Sequence, residues 1–124
     1  MYIQHINICA PSDVLKEVRD FYCSVLNFVD GFRPEFTSKR YWLYANDNAL
    51  VHLTESDKHY PNSRQGYFDH VSFQITGLIS VVANLKSMGI SYESDYLPEI
   101  CMTQLFFKDP LGIGVEINFV NDML

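Results

Sequence analysis

Short alternations of apolar and polar residues recur along the chain, and two of them read as one strand written twice: YIQHINI (2–8) and FDHVSFQI (68–75). Alternation puts His70, Ser72 and Gln74 on one face of the second stretch and Val71, Phe73 and Ile75 on the other. The first stretch likewise sets His5 and Asn7 against Ile6 and Ile8. A helical stripe follows each. Leu15, Val18, Tyr22 and Val25 recur at helical spacing, with Ser12 or Asp13 expected as N-cap and Asn27 as the stop. Leu78, Val81, Val82, Leu85 and Met88 form the second stripe, and Gly89 stands where a left-handed end residue is wanted.

After each helix the pattern predicts a short strand and then a hairpin. RYWLYANDNALVHLTE (40–55) turns at Asn46–Asn48, and QLFFKDPLGIGVEINF (104–119) turns at Asp109–Gly112. Superposing the hairpins pairs Trp42 with Phe106, Leu43 with Phe107 and His52 with Glu116, all at an offset of 64 residues. The fold class predicted is α+β: two paired βαβββ modules, 1–57 and 67–120, forming a cupped mixed sheet with helices on its outer face. They make one domain over 1–124. The polar stretch SDKHYPNSRQG, with Pro61 and Gly66, supplies a linker at 58–66.

Composition narrows the function. A chain of 124 residues with 48% apolar and 19% charged residues can bury a core without disulfide staples. Nine Phe, eight Tyr and one Trp are more large rings than one small core absorbs, so some are expected to line a pocket. The net charge of −6, with scattered basic residues, argues against nucleic acid. Cys9, Cys23 and Cys101 form no metal-ribbon spacing and read as reduced, buried thiols. No basic leader or long apolar run occurs, so a cytoplasmic protein away from membranes is expected.

His5, His52, His70 and Glu116 occupy equivalent points on the strands that open and close the two modules. A wet sheet face accounts for any one of them. It gives no reason for four to share the repeat's period. If the modules pair about a pseudo-twofold axis the four converge, and three imidazoles with one carboxylate suit a divalent first-row ion. His59 lies outside the period and reads as solvated. With Asp109 facing Ile113, Phe106 lies opposite Glu116 and Trp42 opposite His52, with Gln104 and Arg40 two residues back. These four are expected to line the substrate cavity, the rings as walls and Gln104 or Arg40 gripping a polar group.

The order and spacing of HINI, DHVSF and DPLGIGVEINF resemble those of the vicinal oxygen chelate superfamily, the glyoxalase/bleomycin-resistance/extradiol-dioxygenase group, over Ile3 to about Phe119. The resemblance implies a divalent metal ion (Fe, Zn, Ni, Co or Mn) held by His5, His52, His70 and Glu116. It also implies a homodimer and a small-molecule substrate binding through two oxygens. Glyoxalase I enzymes of this type carry Glu or Gln where His52 stands. The implied activity is a glyoxalase-type lyase or isomerase working through a metal-stabilised enediolate, Glu116 carrying the proton and His52 acting as ligand or second base. An extradiol-type dioxygenase, with His5, His70 and Glu116 on iron and His52 as acid–base, is the alternative. A metal-free drug- or metabolite-binding protein of bleomycin-resistance type is the third reading.

Overall fold

In the computed structural model, which describes residues 1–61 and 66–124, the chain divides into two units, Met1–Tyr60 and Pro61–Leu124. The expected linker therefore falls partly, at 62–65, outside the described residues. The first unit runs β1 (Ile6–Ala10), α1 (Ser12–Leu26), β2 (Val29–Gly31), β3 (Arg40–Ala45) and β4 (Asn48–Glu55). Its sheet has the order β1-β4-β3-β2, with β1 parallel to β4 and the other pairs antiparallel. The second unit repeats this with β5 (His70–Gln74), α2 (Leu78–Ser87), β6 (Glu93–Leu97), β7 (Met102–Lys108) and β8 (Gly114–Val120), in the order β5-β8-β7-β6. The fold is α+β, with two four-stranded mixed sheets, as the two-fold pattern predicts.

Each sheet has an apolar and a polar face because its strands alternate. Leu43, Val51 and Leu53 are fully buried in the first unit, as are Leu105, Ile117 and Phe119 in the second. Burying each such side chain contributes about 1.5–3 kcal/mol. Helix α1 adds Leu15, Val18, Phe21, Tyr22, Val25 and Leu26, and α2 adds Leu78, Val81, Val82 and Leu85. Asn27 ends α1 in the left-handed region at φ 59°, its N–H returning to the Tyr22 carbonyl. The expected cap at Ser12 or Asp13 is displaced by one or two residues. Pro11 is the cap, without a side-chain bond, and its extended backbone turns its carbonyl toward the N–H groups of Val14 and Leu15 at 3.1 and 3.0 Å. Met88 falls outside the α2 stripe, at the helix end and 43% exposed, and Gly89 takes the left-handed position at φ 67°.

The turns set the register that places the site. Asn46 and Asp47 both have positive φ, 50° and 63°, the twist a two-residue hairpin needs. The ladder then slips between Leu43 and Tyr44, which leaves Trp42 opposite His52. In the other hairpin Asp109, 5% exposed, accepts the N–H groups of Leu111 and Ile113 at 2.9 and 3.0 Å. That turn puts Phe106 opposite Glu116. The cysteines differ from expectation. They are free, but Cys9 and Cys23 are only half-buried and Cys101 is exposed, because it follows a 3₁₀ turn at φ 49°. No described helix is long and apolar enough to cross a membrane.

Candidate metal centre

In the second unit, His70 and Glu116 meet on the polar face of the β5–β8 pair. His70 opens β5 opposite Gly114, and its Nε2 stands 3.8 Å from Glu116 Oε2, with the two side chains 38% and 12% exposed. Two metal–ligand bonds of about 2 Å each can span that separation. The carboxylate is held from both sides. Gln104 Nε2 donates to Oε1 at 3.0 Å and Asn118 Nδ2 to Oε2 at 3.3 Å. Gln104 also donates to Asn118 Oδ1 at 3.1 Å, and Asn118 to Ser72 Oγ at 3.0 Å. Gln104, expected to grip substrate, thus directs its amide N–H groups at Glu116 and Asn118, an arrangement that fixes a carboxylate's orientation.

His70 Nδ1 lies 2.7 Å from Asp69 Oδ2. A carboxylate only accepts, so this bond places the proton on Nδ1 and, in the neutral ring, the lone pair on Nε2, the nitrogen nearer Glu116. Gly114 makes the approach feasible. A Cβ there would stand 2.4 Å from the Asp69 carbonyl oxygen and 3.0 Å from His70 Cβ. Beside this pair opens a cleft of about 920 Å³, lined by His70, Phe106, Asp69, Tyr92, Glu93 and Lys108 among others.

In the first unit three rings stack. His5 lies 3.9 Å from His52, centroid to centroid, with planes 9° apart, and His52 lies 4.2 Å from Trp42 at 12°. His5 is exposed and stands immediately before β1 rather than within it. Its Nδ1 is hydrogen-bonded to Gln4 Oε1, just as Asp69 holds His70. His52 Nε2 donates to the Ala49 carbonyl at 3.1 Å, where the β3–β4 ladder slips, which leaves its lone pair on Nδ1. Burial, chiefly, pushes the His52 pKa below its usual 6.5, the charges of His5 and Arg40 add to this, and the Ala49 bond opposes it. The ring is therefore neutral at pH 7.

Along the same face, Arg40 Nη1 donates to Thr54 Oγ1 at 3.4 Å, and that hydroxyl donates to Asn7 Oδ1 at 2.8 Å. The Arg40 guanidinium also stacks on Phe36, 4.2 Å from the ring centroid.

The four expected donors thus stand as two pairs, His5 with His52 and His70 with Glu116. Among the described residues no three His, Cys, Asp or Glu side chains gather closely enough to hold an ion. His59 lies outside both pairs, exposed, with Nδ1 3.0 Å from Ser56 Oγ. Sequence reasoning missed Gln4 and Asp69, although each directly precedes its histidine at the 65-residue offset. It missed Phe36 as the ring under Arg40.

No protein-family model and no curated protein matches the chain. Solved structures do. A glyoxalase family protein from Bacillus anthracis is similar with a TM-score of 0.76 and 20% identity, over 97% of this chain and 95% of that one. A glyoxylase/bleomycin resistance protein/dioxygenase domain from Frankia sp. gives 0.73 and 19%, over 100% and 95%. A variant of the fosfomycin resistance protein FosX from Listeria monocytogenes, complexed with Mn(II) and 1S,2S-dihydroxypropylphosphonic acid, gives 0.72 and 15%, over 96% and 92%. The chain has the vicinal oxygen chelate fold, that of the glyoxalase, bleomycin-resistance and dioxygenase proteins.

Proposed function

We propose that the chain is a metal-dependent enzyme of the glyoxalase type, a lyase or isomerase that moves a proton on a small oxygen-bearing metabolite. It acts as a homodimer in the cytoplasm. His5, His52, His70 and Glu116 are the donors assigned to a divalent first-row ion, gathered within one chain or across the homodimer, with Glu116 carrying the proton and His52 as ligand or second base. The observation that carries this reading is the His70–Glu116 pair at 3.8 Å, with the imidazole lone pair on the nitrogen facing the carboxylate and the carboxylate oriented by Gln104 and Asn118. Neutral imidazole nitrogen and carboxylate oxygen are the donors such ions accept. A bound divalent ion supplies Lewis acidity that draws charge from a substrate oxygen.

The remaining steps belong to the chain's own groups. His52, neutral at pH 7 with its lone pair on Nδ1, can accept a proton and return it. Trp42 and Phe106 supply apolar walls, Trp42 by lying on His52 and Phe106 by lining the cleft beside His70. The Mn(II) complex of the FosX variant, a protein of the same fold, supports a divalent ion here.

A second reading is an extradiol-type dioxygenase, with His5, His70 and Glu116 on iron. In that reading His52, held by the Ala49 bond with its lone pair on Nδ1, is the acid–base group outside the metal set. Metal content after purification without a chelating tag separates the readings. Nickel, cobalt, zinc or manganese with thiohemiacetal turnover supports the lyase, and iron with oxygen uptake on catechols supports the dioxygenase. Failure to take up any of these ions, with binding of a metabolite intact, would establish a metal-free binding protein instead.

A further inference from the structure

Along the polar face of each unit, the row next to the metal-donor pair is built to one plan. In the second unit it is Gln104, Asn118 and Ser72, and it closes on an internal carboxylate, because Gln104 donates to Glu116. The first unit has Arg40, Thr54 and Asn7 in the same registers, but His52 stands where the carboxylate would be. Arg40 therefore carries a full charge to a position whose counterpart serves an anion, and meets none. Among the described residues it forms no ion pair, whereas Arg19 pairs with both Asp20 and Asp30. Its Nη1 reaches only the Thr54 hydroxyl, and its Nε is buried with no acceptor. The next acid along β4, Glu55, accepts from the backbone N–H of Lys39 at 3.2 Å.

The guanidinium is held in place. Phe36 lies against its plane at 4.2 Å, and the Phe36 ring stands 6.4 Å from Trp42. Arg33 Nε binds the Arg40 carbonyl at 2.9 Å, which brings a second cation to the same segment. We propose that Arg40, flanked by Phe36 and Trp42, is the anion-binding end of the substrate site, and that the substrate carries an oxyanion, either a carboxylate or a phosphoryl or phosphonyl group. A planar guanidinium matches two oxygens of such a group and binds it with charge-assisted hydrogen bonds. The anion answers the charge that the chain leaves open. Its place beside Trp42 and His52 sets the rest of the molecule against the acid–base residue. This inference rests on the reading of this face as a substrate site.

Trp42 is the only tryptophan, so its fluorescence reports on this spot. The full chain, stripped of metal on a chelating resin and held at constant ionic strength with chloride, is titrated with acetate, methylphosphonate, inorganic phosphate and neutral acetamide. The expected result is a saturable change with at least one oxyanion, a matching rise in melting temperature, and neither with acetamide. Tighter binding of acetate or of the phosphorus oxyanions identifies the group. Arg40→Gln should weaken binding roughly tenfold or more, and Arg40→Lys should retain part of it. No saturable change with any oxyanion, or equal affinity in folded Arg40→Gln and Arg40→Lys, overturns the proposal. Because no metal takes part, failure to bind metal leaves this result standing, and failure here leaves the metal reading standing.

Discussion

Trp42 lies flat against His52 across the β3–β4 pair, with ring centroids 4.2 Å apart and planes 12° from parallel. His5 covers the other side of the same imidazole at 3.9 Å. Burial is the largest cause of the lowered His52 pKa. Removing one cover should undo part of it, so Trp42→Ala is expected to move that pKa up toward 6.5 in an NMR titration. A pKa that stays where it was would mean that another neighbour does the burying.

The same shift makes stability depend on pH. Once unfolded, His52 titrates near 6.5, whereas folded it gives up its proton at lower pH. Between the two values the unfolded chain binds more protons, so stability rises with pH there and falls on acidification. Melting temperatures measured from about pH 7 to about pH 5 should drop less steeply in His52→Gln than in the parent chain. Parallel curves would show that His52 contributes nothing to the slope.

Glu116→Gln and His70→Ala each remove one donor of the closest pair. Both should lose metal uptake and, with it, the stabilisation expected of saturating Mn(II) in the parent chain, about 2.7 kcal/mol at a hundredfold excess over Kd. Thermal melts with and without the ion read this directly. A variant that still gains stability from metal would remove its residue from the ligand set.

Asp69 and Gln4 each accept a hydrogen bond from Nδ1 of the histidine that follows, His70 and His5, and so leave its lone pair on Nε2. Asp69→Ala should let His70 populate both tautomers, visible in the nitrogen NMR shifts of the metal-free chain. It should also weaken metal binding by roughly ten- to a hundredfold in competition with a chelator. Asp69→Asn keeps an acceptor oxygen and should restore much of both.

Much of this was legible from strand parity and turn chemistry. Closure at Asp109–Gly112 determines the opposition of Phe106 to Glu116 by counting, and the 64-residue offset carries it to Trp42 and His52. Counting from Asn46–Asp47 alone ends at Val51, because the slip between Leu43 and Tyr44 leaves no mark in the pattern. The partner of Gln104 did not follow. An amide two positions from a carboxylate can turn to it or to a ligand, and only the cross-strand distance decides. The Pro11 cap was hidden because propensity favours Ser and Asp at that position, while a backbone carbonyl alone can do the work. The exposure of Cys101 depends on a short 3₁₀ turn that carries no apolar period.

The bare Cα of Gly114 ties the scaffold to the chemistry. Substituting alanine for glycine ordinarily stiffens a chain and raises its melting point. At this position the added methyl would meet the Asp69 carbonyl oxygen at 2.4 Å, and relief would require prying β5 from β8 at the point where His70 is seated. Gly114→Ala should therefore cost about 1–3 kcal/mol and blunt metal affinity in the same stroke. Attempts to make this protein hardier by filling its glycines would have to leave this one vacant.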